Sequence, residues 1–321
     1  MPLKTKIYDI HHIIRVQGNV EEIIPSIFEI QNNIYNKMDI SFYVVKEKKR
    51  TKSKLFIDNL SGHTKIYYTS GIIDNYFIWD HTLTHCLPLY FVVNNIVMPL
   101  KLLQKGYSFV HAACVDYNGE GLLIVAPPNT GKTLTALSLS KLGFGYLSDD
   151  LTIIKGNKAY CYPSRVTINL AHVRHLNIPI TLGEYLRIIM KGIAGKQPFR
   201  PFSPDIRIKL RQDSHNVVMQ TVIKYIYFLD IGSEAIQELD QDEALKKLKA
   251  ASSLEIRCFE DPLILSYLYK KSKEKINLQE LQDLRDKIYE DLIRKVEAFS
   301  VSSKDKARFP KLVLKNIYGG R

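Results

Sequence analysis

Residues 122–143 read LLIVAPPNTGKTLTALSLSKLG. The apolar run LLIVA predicts a buried strand, and the spacing of apolar residues after Thr133 predicts a helix that ends at Gly143. Between them, APPNTGKT matches the relaxed Walker A pattern, with Ala126 at its first position. A phosphate-binding loop requires this order of strand, tight loop and helix N-terminus. The stretch therefore predicts a nucleotide site.

Two prolines stand inside this loop, although backbone N–H groups are what hold a phosphate. Pro127 and Pro128 have no N–H to donate, so the donors must come from the helix side of the loop. The ammonium of Lys132 would neutralise phosphate charge, and the hydroxyl of Thr133 would bind Mg²⁺. ATP and Mg²⁺ are the predicted cofactors, held by Asn129, Thr130, Gly131, Lys132, Thr133 and Leu134.

The segments on both sides of the loop predict a sheet with parallel and antiparallel strands. FVHAACVDY precedes Asn118-Gly119, a strong hairpin signal, and FGYLSDDLTII reads as a buried strand that turns at Gly156-Asn157. Because hairpins are inserted between the strand–loop–helix elements, a mixed sheet fits better than a purely doubly wound one. The predicted class is α/β (α+β).

An acidic pair closes the strand that follows the predicted helix. One carboxylate at a strand end beside a phosphate loop is the expected metal group. Two of them, Asp149 and Asp150, allow one to organise Mg²⁺ while the other accepts a proton from a hydroxyl. Neighbouring side chains on a strand diverge, so the two are expected to do different jobs.

Residues 111–154 as a whole resemble the core of the HPr kinase/phosphorylase-like P-loop proteins, whose fold is shared with phosphoenolpyruvate carboxykinases. The resemblance rests on His111, the hairpin, the Gly131-Lys132-Thr133 loop and the acidic pair, and it extends over residues 107 to about 170. It implies that Asp149 is the catalytic base, that Asp150 holds Mg²⁺ with Thr133, and that His111 lies beside the transferred phosphate.

One family signature is missing after the acidic pair. HPr kinases carry Glu-x-Arg-Gly-x-Gly there, whereas residues 165–179 read RVTINLAHVRHLNIP. Phosphorylase activity and HPr as substrate are therefore not expected. The chain looks more like the divergent branch that includes kinases of free serine and tailoring kinases of ribosomal peptides. Arg165 is the leading candidate for a substrate clamp, with Arg174, Arg207 and Arg211 as further candidates.

The rest of the chain predicts two domains. Residues 1–106 read as an α+β module of short strands, with one helix near Val20–Gln31, that selects the acceptor or mediates assembly. Residues 107–321 form the kinase domain, whose C-terminal part, about 242–300, is expected to be helical and to end in a helix over Leu278–Phe299.

Composition limits the partners and the compartment. The formal net charge of +12 favours an anionic partner. Prolines interrupt the most apolar region, and no signal peptide is recognised at the start, so no membrane partner is expected. The four cysteines are scattered, which favours reduced thiols and a cytoplasmic protein. Assembly into a homo-oligomer stays open.

The predicted function is an ATP- and Mg²⁺-dependent kinase. It transfers the γ-phosphoryl group to a serine-type hydroxyl on a peptide, protein or small metabolite. One alternative is a nucleotide-binding regulatory protein without catalysis. The other, less favoured, is a nucleic-acid-directed kinase, suggested by the net charge and by the basic run KEKKRTKSK at 46–54. The sequence leaves open whether ATP, ADP or pyrophosphate is the donor.

Overall fold

The structure is a computed structural model that divides the chain into two compact units. The first contains Met1–Gly106 and Arg257–Gln282, and the second contains Tyr107–Met190, Asp205–Ile256 and Asp283–Arg321. The structure describes residues 5–18, 20, 23–30, 37–46, 54–70, 87–163, 166–168, 170–176, 206–208, 216–256, 258–271 and 274–319.

The described strands and helices are numbered in chain order. The strands are β1 Ile7–Ile10, β2 Ile14–Gln17, β3 Glu29–Ile30, β4 Ile40–Lys46, β5 Lys54–Asp58, β6 Thr64–Ser70, β7 Ser108–Val110, β8 Ala112–Tyr117, β9 Glu120–Val125, β10 Gly145–Ser148, β11 Thr152–Lys155, β12 Lys158–Tyr160, β13 Val166–Ile168, β14 Ile206–Ile208, β15 Gln220–Asp230, β16 Ala235–Glu238 and β17 Glu297–Ser302. The α-helices are α1 Leu87–Val92, α2 Met98–Leu103, α3 Lys132–Lys141, α4 Leu170–Leu176, α5 Gln241–Glu255, α6 Pro262–Lys270, α7 Leu278–Ile293 and α8 Phe309–Gly319.

The first unit is built on a six-stranded mixed sheet in the order β3-β1-β2-β4-β6-β5. Strands β2, β4 and β6 run parallel, and the other pairs are antiparallel. The helix predicted near Val20–Gln31 is wrong, because the described part of that segment holds only a 3₁₀ turn, Ser26–Phe28, followed by β3. Pro25 explains this, since it lacks an N–H and disfavours helical geometry in the residue before it.

The second unit contains a larger mixed sheet, with the strand order β10-β8-β9-β15-β12-β11-β7. β17 lies parallel to the second half of β15, and β16 pairs with β17. The predicted hairpin at Asn118-Gly119 is present between β8 and β9, with positive φ angles of 53° and 86° at those residues. The two mixed sheets with their helices confirm the mixed α/β class.

Two stretches predicted as single strands are each broken in the middle. FVHAACVDY forms β7 and β8 with His111 between them, and FGYLSDDLTII forms β10 and β11 with Asp149-Asp150 between them. β7 pairs with β11, whereas β8 pairs with β9 and β10, so each break is where the chain changes its sheet partner. Hydrophobic periodicity could not show these breaks, because the residues on both sides are equally buried.

The C-terminal part departs from the helical prediction. The helix predicted to reach Phe299 ends at Ile293, and Glu297–Ser302 is a strand that runs beside β15. Pairing with the distant strand β15 makes residues 297–302 a strand, and local sequence propensity does not reveal that pairing. α8, which follows, packs Phe309, Leu312 and Val313 into the core cluster with Leu139 of α3.

Within the described parts of the chain, each helix is too short or too polar to cross a membrane.

Candidate functional site

The 126–131 loop connects β9, in the middle of the larger sheet, to α3. The N–H of Thr130 donates to the carbonyl of Pro127 at 3.3 Å. With Pro128 at its second position and Asn129 at its third, where φ is 63°, this turn has the features of a type II turn. The two prolines therefore shape the entry to the loop.

Gly131 is required at the end of the loop, directly before α3. Its φ is 123°, and a Cβ placed there would lie 3.2 Å from the Cβ of Lys306 and 3.4 Å from Cδ2 of Phe309. Residues with a side chain rarely adopt this backbone conformation. The space left by the missing Cβ lets the chain turn sharply into the helix.

The N-terminus of α3 offers free backbone donors. The N–H and the hydroxyl of Thr135 both donate to the carbonyl of Gly131 at 2.9 Å, and this is the first backbone hydrogen bond of the helix. The N–H groups of Lys132, Thr133 and Leu134 precede it, and such first-turn groups have no acceptor within their helix. Leu134 buries its side chain, so only its N–H is available to a ligand. Together with the helix dipole, this arrangement suits a phosphate.

Lys132 places a buried ammonium beside a histidine and a carboxylate. Its Nζ lies 2.6 Å from Nε2 of His111 and 3.1 Å from Oδ1 of Asp150. Nδ1 of His111 lies 3.3 Å from the carbonyl of Ala251. A carbonyl only accepts, so Nδ1 carries the imidazole proton and Nε2 accepts from Lys132. Burial and the charge of Lys132 lower the pKa of His111 to about 4, so the ring is neutral at physiological pH.

Asp149 is buried and has one unsatisfied oxygen. Its Oδ2 accepts a hydrogen bond from the Thr133 hydroxyl at 3.0 Å, whereas Oδ1 has no hydrogen-bond partner among the described residues. Burial and the nearby charge of Asp150 raise the pKa of Asp149 to about 7. A buried polar atom without a partner is uncommon and calls for an explanation. A carboxylate oxygen beside a hydroxyl is a pair of hard ligands of the kind that Mg²⁺ takes, so these residues fit the predicted metal.

The two aspartates face different surroundings, as their position at a strand end suggested. Asp149 is 1% exposed and bonds to Thr133, whereas the side chain of Asp150 is 46% exposed and pairs with Lys132. The resemblance had coupled Thr133 to Asp150 instead. Which carboxylate is base and which holds the metal stays a prediction, but the contacts favour Asp149 as the partner of Thr133.

The described residues show no contact between this cluster and the predicted arginine clamp. Arg165 and Arg211 lie outside the described residues. Arg174 is exposed on α4, and Arg207 lies in β14. The clamp stays a prediction.

The sequence did not indicate three of the groups that the fold brings to the site. Ser252 accepts the N–H of His111 at 3.4 Å, and the adjacent Ala251 carbonyl orients the imidazole. Nζ of Lys306 donates to the carbonyl of Asn129, 177 residues away in the chain. No spacing pattern links α5 or the segment after β17 to the loop, so only the folded chain shows these contacts.

A dedicated protein cage for a metal is not found in the described residues, where no three His, Cys, Asp or Glu side chains cluster. Magnesium in phosphate-binding sites usually keeps waters and takes substrate oxygens in addition to one or two protein ligands. Thr133 and Asp149 meet that requirement without further carboxylates.

Comparisons with known proteins show only a distant structural relationship. No protein-family model matches the chain, and no curated protein matches it. Among solved structures, it is similar to the Hpr(Ser) kinase/phosphatase from Coxiella burnetii, with 13% sequence identity and a TM-score of 0.29. That match covers 67% of this chain and 96% of the other. Because the structural relationship is distant, the functional case stands on the site itself.

Proposed function

We propose that the protein is an ATP- and Mg²⁺-dependent phosphotransferase built on a P-loop core of the HPr kinase/phosphoenolpyruvate carboxykinase type. The observation that carries this is the convergence at the N-terminus of α3. A glycine-dependent loop, the buried ammonium of Lys132 and the Asp149-Asp150 pair meet there. Phosphoryl transfer relies on positioning and charge stabilisation, and these groups supply both.

The nucleotide phosphates would lie against residues 129–134 and the ammonium of Lys132, with the first-turn N–H groups of Lys132, Thr133 and Leu134 as backbone donors. Lys132 exchanges its hydrogen bond to His111 for a phosphate oxygen, and the neutral imidazole stays fixed by Ala251. Thr133 and Asp149 would hold Mg²⁺, which supplies positive charge to the phosphate oxygens when bound. The buried, unpartnered Oδ1 of Asp149 supports this role.

Asp150 is then the better candidate for the base, which reverses the assignment implied by the sequence resemblance. Its carboxylate is half-exposed, so an acceptor hydroxyl can reach it, whereas Asp149 is buried. Asp150 would accept the proton of the acceptor hydroxyl while the hydroxyl oxygen bonds to the γ-phosphorus, and the nucleoside diphosphate would leave. The ion pair of 3.1 Å between Oδ1 of Asp150 and Nζ of Lys132 helps to fix the position of this carboxylate.

For the acceptor, we propose a serine-type hydroxyl on a peptide, protein or small metabolite, selected with the help of residues 1–106. We also propose that the protein works in the cytoplasm. Support for these points comes from the sequence alone.

Two measurements on three variants test the proposal: calorimetric binding of ATP with and without Mg²⁺, and ATP consumption with free serine and serine-containing peptides. ADP and pyrophosphate are run in parallel as donors. Lys132→Ala is expected to lose phosphoryl transfer while keeping the fold. Asp149→Asn is expected to lose the Mg²⁺-dependent part of nucleotide binding, and Asp150→Asn to keep binding but lose turnover.

Each alternative has its own result. Full activity of Lys132→Ala would remove the loop from the mechanism. If Asp149→Asn keeps binding and Asp150→Asn loses it, the assignment by resemblance is right. Tight MgATP binding without turnover on any acceptor would favour a regulatory nucleotide-binding protein. Steeply salt-dependent RNA binding would favour the nucleic-acid-directed kinase.

A further inference from the structure

The carbonyl of Asn129 in the 126–131 loop accepts a hydrogen bond from the ammonium of Lys306. Lys306 belongs to a single 3₁₀ turn, Lys306–Arg308, between β17 and α8. Its Cβ lies 3.2 Å and its Cγ 3.6 Å from where a Cβ of Gly131 would be. The stem of this lysine therefore covers the loop that its ammonium holds.

This contact fixes the orientation of one peptide unit in the loop. The peptide between Asn129 and Thr130 is planar, and its C=O and N–H point in opposite directions. Its N–H, on Thr130, donates to the carbonyl of Pro127, so holding the carbonyl of Asn129 also supports this turn of the loop. Asn129 has a φ of 63°, in the left-handed region that asparagine enters more readily than most residues.

The segment that carries Lys306 is itself well anchored. Asp305 caps the turn by accepting the N–H of Ala307 at 3.0 Å. Arg308 makes two hydrogen bonds of 3.0 Å to the carboxylate of Glu234, and Phe309 is fully buried. The hydroxyl of Ser303, also buried, donates to the carbonyl of Asp305 at 3.0 Å. Lys306 thus extends from a fixed backbone, although its side chain is exposed.

We propose that Lys306 is a positioning residue of the nucleotide site. It holds the 126–131 loop in its phosphate-binding shape and adds a second ammonium, besides Lys132, to the surroundings of a nucleoside triphosphate. The turn Lys306–Arg308 after β17 would then line the nucleotide site. The inference rests on the proposed nucleotide binding and deepens it.

The test uses the full chain and compares Lys306→Met, Lys306→Arg and the control Lys304→Met. Lys304 is an exposed lysine of the same segment, so its substitution removes the same charge without the loop contact. The measurements are the Kd of MgATP by calorimetry, KM and kcat for ATP, and the midpoint of thermal unfolding. Lys306→Met is expected to weaken MgATP binding about three- to tenfold, which is the range of one lost hydrogen bond.

The pattern across variants separates the possible roles. Lys306→Arg should recover most of the affinity, Lys304→Met should bind like the wild type, and the unfolding midpoints should agree. The loss should appear in KM more than in kcat, because the contact does not touch the reacting atoms. Wild-type affinity in Lys306→Met, or equal losses in Lys306→Met and Lys304→Met, overturns the inference. Failure of the wild type to bind MgATP overturns the proposed function instead.

Discussion

Replacing Gly131 by alanine is the sharpest test of the loop, because the structure gives both the backbone and the steric cost. At a φ of 123°, a residue with a Cβ is strained by about 1–3 kcal/mol. The new Cβ would also meet the Cβ of Lys306 at 3.2 Å and Cδ2 of Phe309 at 3.4 Å. The Cβ of Lys306 is fixed by its anchored backbone and Phe309 is fully buried, so these close contacts add to the backbone strain. We expect a loss of roughly 2–3 kcal/mol in the free energy of unfolding.

The chain offers a matched control in Gly143, the residue after α3. Its φ is 97°, but a Cβ there would meet nothing within 4 Å. Gly143→Ala should therefore cost about 1–2 kcal/mol by strain alone. It lies at the opposite end of α3 from the loop, so MgATP affinity should stay at the wild-type value.

Urea unfolding and calorimetric titration with MgATP, both at 20 °C, measure the two effects on the same samples. Losses of this size leave an ordinary domain folded at that temperature, so binding can be compared directly. In Gly131→Ala the loop is expected to move away from its phosphate-binding shape to relieve the strain. If returning to that shape on binding costs about 1.4 kcal/mol, MgATP binds about tenfold more weakly, and we expect at least this loss. Wild-type affinity in Gly131→Ala would refute the loop as a phosphate cradle. Equal losses of affinity in both variants would mean that strain in α3, and not the loop, governs binding.

Two further predictions concern stability. Burial lowers the pKa of Lys101 to about 8, below its unfolded value, so the unfolded chain holds this proton between about pH 8 and pH 10.5 and the folded chain does not. The free energy of unfolding of the wild type should therefore rise with pH in that window, by up to about 1.4 kcal/mol per pH unit relative to Lys101→Met. Urea unfolding of both proteins from pH 7 to 10 measures this difference. Parallel plots of the free energy of unfolding against pH for the two proteins would contradict the prediction. Tyr289→Phe removes a buried hydrogen bond of 2.7 Å to the carbonyl of Phe109 and should cost about 1 kcal/mol in the free energy of unfolding, with MgATP affinity unchanged; an unchanged urea midpoint would show that this bond adds nothing.

Local sequence signals predicted the local geometry around the loop correctly. α3 begins at Lys132 and ends at Lys141, with Gly143 in the left-handed region just beyond it. The Asn118-Gly119 turn also forms as its residue types require. In both places the deciding interactions are between residues close in sequence, so residue type and spacing are enough to predict them.

Predictions failed where distant segments decide the structure. Residues 297–299, the first half of the strand Glu297–Ser302, were predicted as the end of a helix, because the partner strand β15 lies more than sixty residues earlier and leaves no trace in local periodicity. The break at His111 follows from the competing partners of β7 and β8. For the same reason, the sequence could name Asp149 and Asp150 as a pair but could not say which of them meets Thr133.

By itself, the sequence determined the chemistry available to this protein: a glycine in a tight loop, a lysine and a threonine at a helix N-terminus, and two carboxylates at a strand end. These follow from covalent constraints and short-range spacing. Only the tertiary structure decided how the groups are paired. In the folded chain, the buried Asp149 bonds to Thr133, and the half-exposed Asp150 lies beside Lys132. Lys306, in the turn after β17, donates to the carbonyl of Asn129. Such pairings depend on sheet order and on burial, which arise only when segments far apart in the chain pack together.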